Sequence, residues 1–300
     1  MVNVRTVCVG TNFSPESDVA LHSAANIARA FAAKIVVVTV IEAARFYQRI
    51  LTAVESRLIP TDERAAKAAD HLRRMAAEPP FAGLAVDYRV HVGVPFADLI
   101  AAARACHADL LVVGTRRRSE RERLFLGSTA ERVLRKSPMP VLVAKSTLTA
   151  PRVILAPTDF SDASRPAVEY AIDLARRWEA RLVLLHAIEP IAETYVWPGE
   201  PATAELFVAE PEELEPEWQN LLEGADVHNV RHEHRTLKGY AAPIIAAAAR
   251  ELAADLIVTG THGRTGLMHA LLGSVAERVV READCPVLAV HPKEFRFAMP

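Results

Sequence analysis

The fold of this chain is decided by the stretch LIVTGTHGRTGLMHALLGS, residues 256–274. An apolar run leads into a glycine-rich segment, which leads into VAERVV, residues 275–280, with apolar residues at helical spacing. This pattern predicts a buried strand, a loop and a helix. Amide groups at a helix start lack intrahelical partners, the helix dipole favours negative charge there, and glycine lets the backbone approach an anion. The spacing Gly-x2-Gly-x9-Gly-Ser, from Gly260 to Ser274, therefore predicts a phosphate-binding loop.

The second half of the chain repeats the first half. The segment RVILAPTDFS, residues 152–161, matches RTVCVGTNFS, residues 5–14, at an offset of 147 (152 − 5). Further on, GSVAERV, residues 273–279, matches GSTAERV, residues 127–133, at an offset of 146 (273 − 127). Matches that recur in the same order identify a tandem repeat. The expected domains are residues 1–147, with a degenerate glycine motif, and residues 148–300, with the intact motif.

Each copy alternates strands and helices through five predicted strands. This alternation predicts the α/β class, with an open five-stranded parallel sheet in each copy and helices on both faces. Ligands of such sheets bind at the carboxyl ends of the strands, where the strand order reverses. If the order is 3-2-1-4-5, this crevice lies between the first and fourth strands. The turn PTDFS, residues 157–161, then meets the loop that begins at Gly260.

The two converging segments carry residues that suit a nucleotide. Gly260 and Gly263 allow the loop to wrap a polyphosphate with its amide groups inward. Gly273 adds a backbone amide, and Ser274 adds a hydroxyl. Ionised Asp159 only accepts hydrogen bonds, which suits a ribose hydroxyl or Mg²⁺ rather than a phosphate.

Structural roles for the same residues stay open. Ser274 and Glu277 have the spacing of a helix capping box, which recurs in the first copy and by itself would place a serine there. Asp159 and Ser161 could cap the helix that follows them, and Gly260 could be a turn residue.

These motifs resemble the universal stress protein family in its tandem-repeat form. The resemblance rests on Asp159-Phe160-Ser161 after the first strand and on the glycine motif after the fourth, and it covers about residues 3–292. It implies a flavodoxin-like sheet order and ATP as the ligand of an intact motif, with or without Mg²⁺. By position, Asp159 faces the ribose and the Ala187 backbone faces the adenine. The nucleotide-binding residues expected in this way are Pro157, Thr158, Asp159, Ser161, Ala187, Gly260, His262, Gly263, Arg264, Gly273, Ser274 and Val275.

The resemblance also has implications for assembly. The last strands of this family commonly pair edge to edge in dimers. Residues 141–143 and 287–289 are the corresponding segments here. We therefore expect a homodimer through these edge strands, or their pairing within one chain.

The first copy departs from the motif. Asn12 stands where the second copy has Asp159, and Arg117 stands where it has Gly263. A long side chain where the backbone must approach a ligand should block the phosphate cradle. We therefore expect an empty or altered first site. For the surrounding basic cluster, residues 116–123, a solvated face and a clamp for a phosphate or a partner both stay open.

Two further segments are less decisive. The Pro- and Glu-rich segment Pro190 to Leu222 is expected to be a solvated loop with a short helix near its end, and a lid or partner surface carrying Trp197 and Trp218 is the alternative. His228, His232 and His234 share one face of a predicted strand. They are expected to be exposed, with metal binding as the alternative.

Composition limits the remaining classes. A formal net charge of −2 gives no overall attraction to nucleic acid or anionic lipid, and no apolar run approaches the ~18 residues of a membrane span. Three scattered cysteines without metal-binding spacing fit a reducing compartment, and the first residues have no signal-peptide pattern. We therefore expect a cytoplasmic protein that binds neither nucleic acid nor membrane.

Three functional hypotheses follow from these patterns. The first is a regulatory ATP-binding protein with little turnover, because no Walker lysine, paired catalytic carboxylates or Ser-His-Asp order is evident. The second is a slow ATPase or nucleotidyl-transfer enzyme, in which His262, Arg264 and His269 stabilise phosphoryl charge. The third is an interaction scaffold that needs no nucleotide.

Overall fold

The computed structural model describes residues 2–42, 61–77, 79–115, 126–191, 206–207, 209–263 and 272–292. The chain divides into two compact units, residues 2–150 and 151–293. Each unit contains one copy of the repeat.

The first unit is built on a five-stranded parallel sheet. Its strands are β1 (Thr6–Thr11), β2 (Lys34–Glu42), β3 (Val86–Gly93), β4 (Leu110–Gly114) and β5 (Val141–Ala144). Its described helices are α1 (Pro15–Phe31), α2 (Thr61–Met75), α3 (Pro95–Ala105) and α4 (Ser128–Lys136). All neighbouring strands are parallel, in the order β3-β2-β1-β4-β5. The predicted order 3-2-1-4-5 is confirmed here.

The second unit has the same architecture. The strands of its main sheet are β6 (Val153–Pro157), β7 (Arg181–Ile188), β10 (His232–Lys238), β11 (Leu256–Gly260) and β12 (Val287–Val290). Its described helices are α5 (Arg165–Trp178), α6 (Glu215–Glu223), α7 (Ala241–Glu251) and α8 (Ser274–Glu282), and the short strands β8 (Pro190–Ile191) and β9 (Leu206–Phe207) pair antiparallel. The order β10-β7-β6-β11-β12 is again 3-2-1-4-5, with parallel neighbours throughout.

The central strands are unbroken apolar runs because helices cover both faces of the sheet. Residues 7–9 of β1 and 154–156 of β6 have no solvent exposure. The sequence repeat is therefore in large part a repeat of these buried strands.

The sequence Ala-Asp-Leu occurs at the start of the fourth strand of both copies, at residues 108–110 and 254–256, and its aspartate has the same structural role in each. Asp109 Oδ2 accepts hydrogen bonds from the amide groups of residues 5 and 6, at 2.7 and 3.0 Å. Asp255 Oδ2 accepts the equivalent bonds from residues 152 and 153, also at 2.7 and 3.0 Å. Each aspartate thus ties the segment before its fourth strand to the start of its first strand.

The acidic segment of the second unit is less solvated than expected. The short helix predicted near its end is confirmed as α6, preceded by a 3₁₀ helix, Pro211–Leu214. Trp218 and Leu221 of α6 are only 1% and 3% exposed, however. Most residues of α6 are exposed, as expected of a solvated segment, but Trp218 and Leu221 are not, and buried Trp218 cannot form part of an exposed partner surface. Trp197 lies outside the described residues.

Candidate functional site

The candidate site lies where β6 and β11 end. These strands are parallel neighbours, with Leu155 in register with Ile257. The chain continues from β6 to β7 on one side and from β11 to β12 on the other, so the strand order reverses between them. A reversal of this kind leaves a crevice at the carboxyl ends of the strands. Here those ends are Pro157 and Gly260.

A tight turn after β6 fixes the side chain of Asp159. Asp159 Oδ1 accepts hydrogen bonds from the Ser161 amide at 3.1 Å and from the Ser161 hydroxyl at 2.6 Å. The Thr158 hydroxyl accepts a hydrogen bond from the Phe160 amide at 3.1 Å, and Phe160 has a φ of 63°. Ser161 Oγ also accepts from the amide of Ser164, the N-cap of α5, at 3.3 Å. The capping role considered for Asp159 and Ser161 thus takes the form of a turn that leads into α5.

The loop after β11 passes close to this turn. A Cβ added to Gly263 would lie 2.5 Å from Asp159 Oδ2, and a Cβ added to Gly260 would lie 3.4 Å from the Cα of Ser164. Gly263 has no positive φ, so its lack of a side chain matters for space rather than for backbone conformation. The structure therefore brings the Asp159 turn and the glycine loop together at one edge of the sheet.

Gly273, near the end of the glycine motif, lies against Thr261, near its start. The Gly273 amide donates a hydrogen bond to the Thr261 carbonyl at 2.7 Å, and the Thr261 amide donates to the Val290 carbonyl at 3.0 Å. A Cβ on Gly273 would lie 3.1 Å from the Thr261 carbonyl oxygen, tighter than most real contacts. Thr261 is fully buried, and its hydroxyl lies 2.9 Å from His262 Nδ1. Residues 261–263 and 273 thus form the base of a closed loop.

The start of α8 differs from the predicted capping box. Gly273 is the N-cap, with φ −68° and ψ 145°, and Ser274 is the first helical residue. The N-cap Gly273 supplies no side-chain hydrogen bond to the helix start, and Glu277 forms an ion pair with Arg281 at 2.7 Å. The capping-box prediction is wrong here, and also in the first copy, where Gly127 is the N-cap of α4. Ser274 and Val275 are both exposed at the helix start.

The backbone of Ala187 is directed toward the same crevice. In a parallel strand, alternate residues direct their amide and carbonyl groups to the same neighbour. Leu185 faces β6, because its carbonyl accepts a hydrogen bond from the Thr158 amide at 2.9 Å. Ala187 lies two residues further on, beyond the last register pair of β6 and β7, which joins Pro157 and Leu185. Its backbone groups therefore point past the end of β6.

An aromatic cluster beneath the Asp159 turn was not predicted. Phe160 packs on His186 and Trp218, with ring centroids 4.4 and 4.7 Å away. Trp218 stacks on His234 at 4.8 Å and donates a hydrogen bond from Nε1 to Thr236 Oγ1 at 3.0 Å. These contacts link the acidic segment to the turn that carries Asp159. Apolar residues at positions 214, 218, 221 and 222 were the available signal for a buried helix face.

The chain matches the family model of the universal stress protein family twice, over residues 3–145 and 151–291. It is also 30% identical over 299 residues to a universal stress protein of Mycolicibacterium smegmatis, covering 96% of this chain and 97% of that one. The chain belongs to the universal stress protein family. A universal stress protein of Methanocaldococcus jannaschii is 36% identical over 137 residues, which are 46% of this chain and 80% of that one.

A solved structure shares the fold of this chain. The crystal structure of a universal stress protein from Archaeoglobus fulgidus superimposes with a TM-score of 0.74, at 22% identity, over 96% of this chain and 98% of that one. Among the described residues, no helix is both long enough and apolar enough to cross a bilayer.

The first universal stress copy contains the same turn with one chemical change. Asn12 Oδ1 accepts a hydrogen bond from the Ser14 amide at 3.2 Å, as Asp159 Oδ1 does from Ser161, and Phe13 has a φ of 62°. The side-chain oxygen of Asn12 is thereby used in the turn. Its second polar atom is an amide nitrogen that donates, whereas that of Asp159 is a carboxylate oxygen that accepts.

Several predicted residues lie outside the part of the chain that the structure describes. These are Arg264 and His269 of the glycine loop and Arg117 with the rest of the basic cluster. The expected block of the first site by Arg117 therefore stays a prediction.

The three histidines considered for a metal site do not lie on one strand. His228 precedes β10, the His232 Nδ1 lies 3.0 Å from the Val230 carbonyl, and the His234 Nε2 lies 3.3 Å from a carboxylate oxygen of Glu215. Within the described ranges, no three His, Cys, Asp or Glu side chains are grouped as metal ligands.

Proposed function

We propose that this universal stress protein binds ATP in its second copy, as a regulatory ligand with little turnover. The observation that carries the proposal is the approach of Gly263 to Asp159. This approach supports the proposal because it brings together a glycine loop, which suits phosphates, and a carboxylate, which suits a sugar hydroxyl, at the ends of two neighbouring strands. A nucleotide carries both phosphates and a sugar.

The phosphates are assigned to the loop and the start of α8. A side chain at Gly263 would collide with the Asp159 carboxylate, and one at Gly273 would press on the Thr261 carbonyl, so both glycines allow the loop to lie close to its neighbours. The first turn of α8 receives no side-chain cap from Gly273, so its amide groups can bind an anion, which the helix dipole favours. Ser274 and Val275 lie at this helix start, and Gly260, His262 and Arg264 belong to the loop that faces it.

The ribose and the adenine are assigned to the ends of β6 and β7. The Asp159 carboxylate has one oxygen in the turn and a second oxygen facing Gly263, which could accept a hydrogen bond from a ribose hydroxyl. The backbone groups of Ala187 could pair with the adenine edge. Pro157, Thr158 and Ser161 hold these groups in place through the turn itself.

The Asp159 carboxylate would suit a Mg²⁺ ion bound together with the nucleotide. It is commonly held by one or two carboxylates together with the phosphates of the nucleotide. Asp159 is the carboxylate that the described part of this site supplies, and a bound ion would neutralise phosphate charge there.

Equilibrium binding of ATP to the full chain tests the proposal. We expect one site per chain, which is lost on Gly263→Arg because that substitution copies the first universal stress copy. The matched control is Asn12→Ala, which alters the equivalent turn of the first copy and should leave the stoichiometry and affinity unchanged. Undiminished ATP binding by Gly263→Arg would contradict the assignment of the ATP site to the second copy.

Phosphate release separates regulation from catalysis. With ATP bound, we expect the chain to release phosphate no faster than the Gly263→Arg variant does. Steady release that depends on Asp159 or His262 would instead support the ATPase hypothesis. Absence of any ATP binding by a folded chain would support the scaffold hypothesis.

A further inference from the structure

An exposed aromatic residue stands beside the end of β7, at the edge of the proposed nucleotide site. Tyr240 follows β10 and is the N-cap of α7, with φ −64° and ψ 129°. It is 57% exposed, more than any other large apolar side chain in the described ranges. A single exposed apolar side chain needs no ligand to explain it. What distinguishes Tyr240 is the backbone on either side of it.

Both chain neighbours of Tyr240 are tied to the end of β7. The Gly239 amide donates a hydrogen bond to the Ile188 carbonyl at 2.9 Å. The Ala241 amide donates a hydrogen bond to Glu189 Oε1, also at 2.9 Å. The Glu189 carboxylate therefore caps the start of α7 from the neighbouring strand, and the backbone of Tyr240 is held between these two bonds.

These two bonds keep Tyr240 near the backbone proposed for the adenine. Ala187 is in register with Leu237 of β10, and neighbouring strands of a sheet lie about 4.8 Å apart. Helix α7 also packs against α8, so both helices begin on one face of the sheet, at the carboxyl ends of its strands. The start of α7 therefore borders both the Ala187 backbone and the helix start proposed for the phosphates.

The backbone of Gly239 has a conformation that glycine alone adopts readily. Its φ is 134°, and an added Cβ would lie 2.8 Å from Ile244 Cδ1. A residue with a side chain is strained at such a φ, and unusual backbone conformations of this kind cluster at ligand sites. The turn that presents Tyr240 thus depends on a glycine at this one position.

The first copy builds the equivalent turn differently. Val94 takes the place of Tyr240, and Pro95 takes that of Ala241, at the repeat offset of 146 (240 − 94). Proline has no amide hydrogen to donate, and the Val94 amide donates instead to Asp98 Oδ2 of its own helix at 2.6 Å. The aromatic ring and the bond from the helix start to the neighbouring strand thus occur together in the copy with the intact glycine motif.

We propose that the Tyr240 ring covers one face of the bound base, which makes the second copy selective for purine nucleotides. The inference rests on the ATP binding proposed above. Hydrogen bonds from the Ala187 backbone reach only the edge of a base and leave both of its ring faces uncovered. An aromatic side chain stacks on such a face and loses little conformational entropy in doing so. A purine offers two fused rings to Tyr240, whereas a pyrimidine offers one.

Calorimetric titration of the full chain with ATP, CTP and inorganic triphosphate tests the inference. Tyr240→Val copies the first copy, and Tyr240→Phe keeps the ring. We expect Tyr240→Val to lower the affinity for ATP about ten-fold and that for triphosphate less than about two-fold, and Tyr240→Phe to change neither. The full chain should bind ATP more tightly than CTP, and this preference should shrink in Tyr240→Val. Because the side chain is exposed, both variants should unfold in urea as the full chain does.

The outcomes separate this inference from the proposed function. Val94→Tyr is the matched control in the first copy, and it should leave one ATP site per chain with unchanged affinity. An unchanged ATP affinity or an unchanged ratio of ATP to CTP affinity in Tyr240→Val would overturn the role of Tyr240 and leave the ATP site standing. An equal loss of ATP and triphosphate binding would do the same. A full chain that binds no ATP would overturn the proposed function, and this inference with it.

Discussion

The Asp159 carboxylate lies against Gly263, so that an added Cβ would stand 2.5 Å from Oδ2. The other oxygen, Oδ1, is held by the amide and hydroxyl of Ser161. The two oxygens of one carboxylate therefore have separate roles: one builds the turn after β6, and the other faces the loop after β11. This division allows the turn and the proposed ligand contact to be tested independently.

Asp159→Asn should weaken ATP binding while leaving the fold intact. Oδ1 remains to accept both turn hydrogen bonds, and in the first copy the Asn12 oxygen accepts the equivalent bond from the Ser14 amide. The second atom becomes a donor and can no longer accept from a ribose hydroxyl or bind Mg²⁺. We expect a ten-fold or greater loss of ATP affinity, about 1.5 kcal/mol or more, by calorimetry. The free energy of unfolding in urea should change by less than about 1 kcal/mol.

The reverse change in the first copy is its control. Asn12→Asp should fold normally and should not create a second ATP site, because Arg117 still replaces the glycine. A second site in Asn12→Asp would mean that the side chain of residue 12, rather than residue 117, keeps the first copy from binding.

Gly263→Ala should be costly only while Asp159 is present. The added Cβ would force the carboxylate or the loop to move, and overpacking of this kind costs about 1–3 kcal/mol. In an Asp159→Ala background the obstacle is absent, so the same change should have little effect on unfolding. A double-mutant cycle in urea should therefore give a coupling free energy of about 1 kcal/mol. Additive changes in the free energy of unfolding would show that there is no steric conflict between residue 263 and Asp159.

The strand order and the meeting of the Asp159 turn with the glycine loop could be predicted because they depend on sequence patterns that occur in both copies of the repeat. The apolar runs around Val7 and Leu155 identify doubly covered strands, and the repeat fixes how many strands each copy has. Once the order is 3-2-1-4-5, the ends of β6 and β11 must be neighbours. No side-chain detail is needed for that step.

The details that could not be predicted depend on non-local contacts or on one backbone residue. A Ser-x-x-Glu pattern does not reveal whether Ser274 or Gly273 is the N-cap, because the backbone conformation of Gly273 decides it. Prolines and glutamates around α6 suggested a solvated loop, but the side chain of Trp218 packs on Phe160, which is 58 residues earlier (218 − 160).

Asp255→Ala should destabilise the second unit without acting on the site directly. It leaves the amide groups of Arg152 and Val153 without their acceptor, one exposed and one partly buried. We expect a loss of about 1–2 kcal/mol in the free energy of unfolding. Asp255→Asn keeps one acceptor oxygen and should lose less. ATP affinity should be unchanged when it is measured at a urea concentration well below the unfolding midpoint. A loss of affinity that accompanied the loss of stability would show that Asp255 helps to hold the ATP site in place.

Trp218→Ala should affect both the stability of the second unit and ATP affinity. The side chain is 1% exposed and packs between Phe160 and His234, so its removal should cost about 3–5 kcal/mol. Phe160 is held in the turn beside Asp159, and loss of its packing partner should loosen that turn and weaken ATP binding. Trp218→Phe keeps an aromatic ring but loses the hydrogen bond to Thr236 and part of the buried volume, so it should cost less than Trp218→Ala, about 1–2 kcal/mol, and leave affinity unchanged.

The first copy supplies the matched control for this prediction. There Phe13 packs edge-on against His71 of α2, with ring centroids 4.6 Å apart. His71→Ala removes the equivalent support from a turn in which Asn12 replaces Asp159, and it should leave ATP affinity unchanged. If His71→Ala and Trp218→Ala weakened ATP binding equally in urea-free calorimetry, the loss would reflect general destabilisation of the chain rather than support of the Asp159 turn.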